Sequence, residues 1–313
     1  MSEYHTPVLL DESVSALVTD PSGIYADVTF GGGGHTAGIL SRLNEDGHVI
    51  AFDRDGDAIA NKPDDPRLTI VRADFRFINN YRLEIARRQE ALRDRLECGF
   101  HGILADLGVS SHQFDSETRG FSFRFDSPLD MRMNQEGGMT AAEVVNTYPE
   151  EGLEKVFRRW GEVENAGRVA RLIVEAREKA PLDTTGALNG ALGPALPKFA
   201  EHKYLAKVYQ ALRIEVNHEM RSLEKMLQGA ADSLREGGRL VVITYHSLED
   251  RMVKNFIRTG RTDGEEVKDL VYGGVSAPLA AVNRKPTVPG ESEISMNTRA
   301  RSAKLRIARK TGK

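Results

Sequence analysis

Ile24-Tyr-Ala-Asp-Val-Thr-Phe-Gly-Gly-Gly-Gly-His35 decides the fold. The stretch opens as a short apolar-rich strand. It closes in four consecutive glycines, Gly31 to Gly34, and a helical pattern begins at Thr36. Strand, glycine turn and helix in that order make the local grammar of a nucleotide-type cofactor site. Glycine takes positive φ and has no Cβ, so a ligand can lie against bare backbone. The first turn of the helix adds unpaired N–H groups for a polar or anionic ligand. One or two glycines would read as a plain tight turn, whereas four between Phe30 and His35 favour a ligand loop.

The flanking pattern repeats the unit. Val8 to Val18 reads as a short helix, and Asp20 to Gly23 as a turn. His48 to Phe52 is a second strand that delivers Asp53 about 20 residues after the glycines, where a carboxylate can accept both hydroxyls of a ribose. Asp55 or Asp57 is expected to cap the helix that follows. Leu68 to Val71 is a third strand. Phe75 comes off its end, either as a neighbour of a flat adenine ring or as plain core. Arg76 to Glu97 reads as a long charged helix in two pieces. Phe100 to Ala105 is a fourth strand ending at Asp106. Strands alternating with helices imply an α/β fold with a mostly parallel sheet, and ligands bind such sheets at the carboxyl ends of strands.

Strand signals fade from Asp115 to Leu205, where helical patterns are broken by prolines. Residues 115–205 are therefore expected to be a helical insertion, with 1–114 and 206–313 forming a discontinuous cofactor domain. The insertion opens on Gly120 to Met133, G-F-S-F-R-F-D-S-P-L-D-M-R-M, where aromatics sit beside arginines. Such a mix can clamp a nucleic-acid base or cover a domain seam. Lys207 to Leu234 reads as an amphipathic helix pair ended by Gly237 and Gly238. Arg239 to Tyr245 is a fifth strand, followed by His246. Thr259 to Glu291 reads as a long loop, and Lys304 to Ala308 as a last strand.

Bulk properties narrow the class. The 313 residues are 40% hydrophobic and 28% charged, as in a globular chain with a real core. Neither a membrane-length apolar run nor a signal-peptide pattern is present, so no membrane is expected. A single cysteine, Cys98, excludes an internal disulfide framework and points to a reducing cytoplasm. It is expected to be a packing residue. No His/Cys spacing resembles a metal site. Net charge is −3, which argues against a general nucleic-acid binder. The stretch Thr298 to Lys313 is nevertheless free of acids and carries Arg299, Arg301, Lys304, Arg306, Arg309, Lys310 and Lys313, which can attract phosphates locally.

A glycine loop with an acid one strand later suits NAD or S-adenosyl-L-methionine. NAD calls for the spaced G-x-G-x-x-G fingerprint. The contiguous glycines and the lack of a hydride-transfer constellation favour S-adenosyl-L-methionine.

Seven motifs carry a resemblance: F-G-G-G-G-H (30–35), A-D-L-G-V-S-S (105–111), R-G-F-S-F (119–123), S-P-L-D-M-R-M (127–133), Q-A-L-R-I-E-V-N (210–217), Y-H-S-L-E-D-R (245–251) and R-A-R-S-A-K-L-R-I-A (299–308). Together they closely resemble the bacterial 16S ribosomal RNA cytosine-N4 methyltransferases, the MraW family, over nearly the whole chain. The resemblance implies a class I methyltransferase (Rossmann-like) sheet with a helical insertion. It also implies methyl transfer from S-adenosyl-L-methionine to the exocyclic amine of a decoding-region cytidine of 16S ribosomal RNA, on the small ribosomal subunit. By motif, Gly33, Gly34 and His35 resemble the methionine-side contact, Asp53 the ribose ligand and Phe75 the adenine neighbour. Asp106 and Gln113 resemble the remaining cofactor contacts. Gly32 stands where the family often has another residue, which should loosen the turn without removing a ligand. Oligomeric state is not legible, and a homodimer is compatible with the sequence.

The chemistry makes one demand. A cytosine amine shares its lone pair with the ring, so the enzyme must align it with the methyl group, helped by hydrogen-bond acceptors that hold the amine as it gains positive charge. The (Asp/Asn/Ser)-Pro-Pro-aromatic motif of DNA amino-methyltransferases is absent, and Asp106-Leu-Gly-Val-Ser110 occupies its place. Asp106, or Asp130 of the insertion, is the expected acceptor, with His246 and Ser247 nearby. Phe121, Phe123 and Arg124 are the expected receivers of a splayed-out base. The rivals are a methyltransferase for another substrate and a non-catalytic ribosome-assembly factor.

Overall fold

The computed structural model describes residues 7–59, 62–108, 118–266 and 277–312. The chain forms two compact units, residues 1–108 with 221–313, and residues 109–220.

The first unit is built on one seven-stranded sheet in the order β3-β2-β1-β4-β5-β7-β6. Its strands are β1 (Ile24–Asp27), β2 (His48–Asp53), β3 (Leu68–Arg72), β4 (Phe100–Asp106), β5 (Leu234–Thr244), β6 (Leu279–Ala281) and β7 (Lys304–Lys310). β1 to β5 pair in parallel, while β7 runs antiparallel to β5 and β6. This is the class I methyltransferase arrangement. Every residue of β1 is buried, as expected of a central parallel strand covered on both faces. Helices α1 (Leu10–Leu17) and α2 (Gly34–Leu40) place Leu17, Ile39 and Leu40 on one face, against Tyr25, Val49, Leu104 and Ile243. The strand order reverses between β1 and β4, which opens a crevice at their carboxyl ends.

The sequence reading and the structure differ locally. The helix expected in two pieces from Arg76 to Glu97 is found as α4 (Ile78–Arg88) and α5 (Arg93–Glu97), separated by a short 3-10 turn; other elements depart from expectation. Helix α3 (Gly56–Ile59) directly follows Asp55. Gly237 and Gly238 do not end a helix. They lie inside β5, where Gly237 has φ +78° and the register with β4 shifts between Phe100 and Gly102. β6 emerges from the stretch read as loop, because its short edge segment pairs only with β7. Cys98 is exposed rather than packed, since it follows the last turn of α5.

The second unit is helical: α6 (Ala141–Thr147), α7 (Glu150–Gly161), α8 (Ala166–Arg177), α9 (Thr185–Leu192) and α10 (Glu201–Asn217). It extends beyond 115–205 because α10 supplies Leu205, Val208, Leu212 and Val216 to the same core as Phe157, Val169 and Leu188. The helix pair expected from Lys207 breaks at His218, whose φ is +49°, before α11 (Glu219–Ser233). The opening segment is pinned from inside this unit. Asn217 Oδ1 accepts from Met133 N–H at 2.8 Å, and its amide donates to the Met131 carbonyl at 2.8 Å. Among the described residues, no helix is long and apolar enough to cross a membrane.

Candidate cofactor and catalytic site

The glycine loop leaves β1 through Phe30, whose carbonyl accepts from Gly33 N–H at 2.7 Å. Gly31 and Gly33 have φ of +52° and +77°, a region that costs other residues strain. A Cβ on Gly33 would also lie 3.0 Å from the Phe30 ring, and one on Gly34 would lie 2.2 Å from Pro7. The last two glycines therefore let the loop seat closely on Phe30 and Pro7. Gly33 is the N-cap of α2.

Asp53, at the end of β2, ties this loop down. One carboxylate oxygen accepts from Gly31 N–H and the other from Asp55 N–H, both at 2.8 Å. Burial raises its carboxyl above the usual range. A carboxylate has about four acceptor positions, so lone pairs remain for ribose hydroxyls.

Asp106 ends β4 beside the loop. Its N–H donates to Thr29 Oγ1 at 2.7 Å, and its Oδ1 accepts the Tyr245 hydroxyl at 2.8 Å. Its Oδ2 lies 3.6 Å from Nδ1 of His35. The other ring nitrogen of His35 is 3.1 Å from the Val8 carbonyl, which can only accept, so Nε2 carries a proton. Asp27, fully buried one strand away, accepts from Thr36 Oγ1 at 2.7 Å and Thr29 N–H at 3.1 Å. Burial raises the Asp27 carboxyl. Burial likewise pushes Asp106 up to about 6, against the lowering effects of His35 and the Tyr245 hydrogen bond. Asp106 keeps 23% of its side-chain surface, so it meets solvent at the crevice rim.

Tyr245, Gly108 and Asp27 are site residues that sequence reasoning passed over. Tyr245 follows β5, and burial followed by the Asp106 charge raises its phenol well above the ordinary value. Gly108, φ +104°, follows β4, and a Cβ there would lie 3.2 Å from the Tyr245 ring. Tyr245 stands within Y-H-S-L-E-D-R and Asp27 within an apolar strand, so an acid among buried residues was the available signal.

The remaining expected residues fall as follows. His246 also follows β5, so Asp53, Asp106 and His246 share one edge of the sheet. Its ring is the N-cap of α12 (Ser247–Thr259), accepting from Glu249 N–H at 3.4 Å. Its Nε2 is 3.1 Å from Glu249 Oε1 but is not aligned for a hydrogen bond. Phe75 is half-buried in a 3-10 turn after β3. Asp130 lies in the helical unit and holds Arg132 through both oxygens, at 2.9 and 2.8 Å. Burial alone would raise the Asp130 carboxyl, but Arg132 outweighs it and leaves it below the usual range. Phe121 is buried and Phe123 stacks edge-on against Tyr209, so of the three expected base receivers only Arg124 is exposed. Gln113 lies outside the described residues.

A sequence model of the MraW methylase family matches residues 2–311. The chain belongs to the MraW methylase family. A protein of Bacteroides fragilis named ribosomal RNA small subunit methyltransferase H is 52% identical over 307 residues, covering 98% of this chain and 97% of its own. One of the same name from Christiangramia forsetii is 49% identical over 310 residues, covering 99% of both chains. The methyl donor of this MraW methylase is S-adenosyl-L-methionine, and the crevice fits it. Three carboxyl groups, Asp27, Asp53 and Asp106, suit a cationic sulfonium that carries a ribose, and bare glycine backbone suits close approach.

Proposed function

We propose that this MraW methylase methylates the N4 amine of a cytidine in the decoding region of 16S ribosomal RNA, within the small ribosomal subunit. The family and the names of its relatives support ribosomal RNA as the substrate. The observation that carries the chemistry is the carboxyl of Asp106, held at the crevice rim between the Tyr245 hydroxyl and the His35 ring.

In this reading Gly33, Gly34 and His35 hold the methionine side of the donor. Asp53 takes the ribose, Phe75 flanks the adenine, and Asp106 and Gln113 complete the contacts. The bound donor supplies a methyl group already activated by its sulfonium. The protein's task is alignment and proton removal. Asp106 accepts a hydrogen bond from the amine as that nitrogen gains positive charge, and takes its proton. A carboxyl tuned to about 6 is ionised at neutral pH yet basic enough to receive it. Asp130 is kept in this proposal as the alternative acceptor for the amine, and His246 as a positioning residue that fixes the strand end carrying Tyr245.

Mass spectrometry of small-subunit RNA tests the proposal. Subunits from cells lacking the chain should gain one methyl on a decoding-region cytidine when incubated with the protein and S-adenosyl-L-methionine. Label appearing on another base, on protein or nowhere would refute it.

A further inference from the structure

The cations of the carboxyl-terminal run have different fates. Lys304 and Arg306 bind Asp250, at 3.4 and 2.6 Å, and Lys310 donates to the Ala231 carbonyl at 2.7 Å. The Arg309 side chain makes no hydrogen bond or ion pair among the described residues. Neither does that of Arg239, which stands directly opposite Arg309 in the β5–β7 register. Like charges facing each other across a strand pair oppose folding. No acid pairs with either side chain among the described residues, and Glu236, close by in sequence, lies against Gly312.

The row continues across the sheet. Ala280 of β6 pairs with Arg309, and the small side chains leave a recess of about 250 Å³ lined by Arg239, Ala280, Ala281, Val282 and Arg309. Pockets that enclose small molecules measure about 300–1,000 Å³ and cover most of the ligand. This recess is smaller and open to solvent, which suits a group projecting from a large partner. Arg284 and Lys285 extend the cationic edge. Both are exposed and without a partner among the described residues. They lie between Val282, which donates to the Ile307 carbonyl, and Thr287, which pairs with Leu305.

We propose that Arg239 and Arg309, with Arg284 and Lys285, form a second RNA-contact surface that takes backbone phosphates of the substrate. The inference rests on the ribosomal RNA reading above and adds where that RNA is held. Its arginine pair, Arg239 and Arg309, stands apart from the chemistry. Arg239 lies mid-strand in β5, five residue steps before Thr244, or about 17 Å at roughly 3.3 Å per residue, so the arginine pair is set well back from Tyr245. Phosphate contacts of this kind set position and affinity without reading sequence.

The test uses the full chain with Arg239→Gln and Arg309→Gln combined. The probes are a 16S ribosomal RNA transcript for binding at several salt concentrations and unmethylated small subunits for methyl transfer. Each lost phosphate contact should reduce the slope of log affinity against log salt by roughly 0.7–0.9. Affinity should fall about 10- to 100-fold and KM should rise, with kcat and S-adenosyl-L-methionine binding preserved and the melting temperature unchanged or higher, since a like-charge pair is removed. Arg239→Lys with Arg309→Lys should keep the slope, and Arg284→Gln with Lys285→Gln should lower it without touching the sheet. An unchanged slope in both glutamine variants would overturn the proposal. If wild-type protein methylates RNA while those slopes stay unchanged, only this inference fails. If wild-type protein neither binds nor methylates RNA, the functional reading itself fails.

Discussion

The Tyr245 hydroxyl donates to Asp106 Oδ1 at 2.8 Å, joining residues 139 apart in sequence at the carboxyl ends of β5 and β4. This bond lowers the Asp106 carboxyl against the burial that raises it. Tyr245→Phe should therefore let Asp106 rise further and leave more of it protonated near pH 6. The acid limb of the kcat profile should move to higher pH, and a rise of about one pKa unit would cost about fivefold at pH 6 and almost nothing at pH 8, because the wild-type acid is already half-ionised at pH 6. A profile superimposable on wild type would separate the tyrosine from the acid.

Asp106 also sets a pH dependence of stability. Its folded-state carboxyl titrates near 6, above the usual carboxylate range, so between about pH 4 and 6 the folded state binds more proton than the unfolded state. Stability from this group is fully present below the unfolded pKa and is lost as pH rises through 6. A shift of this size corresponds to at most about 3 kcal/mol, and the partial exposure at the crevice rim reduces it to roughly 1–2 kcal/mol. Melting curves of Asp106→Asn should be flatter than those of wild type across pH 4–6. An equal slope would contradict the assignment.

Gly33 combines positive φ with the Phe30 ring 3.0 Å from where a Cβ would sit. Gly33→Ala should cost about 1–2 kcal/mol in denaturant unfolding. It should also weaken S-adenosyl-L-methionine binding by calorimetry, because the loop must shift. Wild-type stability together with wild-type affinity would show that the positive φ is dispensable.

Much of this was legible from residue pattern. The strand–glycine–helix stretch announces itself because glycine runs have few uses, and Asp53 and Asp106 stand where apolar strands stop. What stayed hidden depends on pairing distant in sequence. Tyr245 reads as one more strand aromatic until β5 lies beside β4. Asp27 gains its partners Thr36 and Thr29 only once β1 and α2 are folded together. β6 has three residues and exists only because β7 offers an edge. The glycines of Glu236 to Gly238 carry the signature of a helix stop, but the sheet uses them to shift register.

Asn217 explains why Q-A-L-R-I-E-V-N is distinctive. Its amide closes three hydrogen bonds, with Met133 N–H and the carbonyls of Met131 and Arg213, and Met131 has φ +59°. Asn217→Ala would leave buried backbone groups unpaired, at a cost of about 2–4 kcal/mol. Amide exchange across residues 128–133 should accelerate while S-adenosyl-L-methionine affinity is unchanged. Protection equal to wild type would show that the segment is held by other contacts.

Single-turnover methyl transfer by Asp106→Asn, run at neutral pH on unmethylated small subunits with donor binding checked by calorimetry, bears most directly on the proposed chemistry. Asparagine keeps the size of the side chain but cannot take the amine proton. The rate should fall by about 10²-fold or more while the donor still binds. A variant that transfers methyl within twofold of wild type would contradict the role of Asp106.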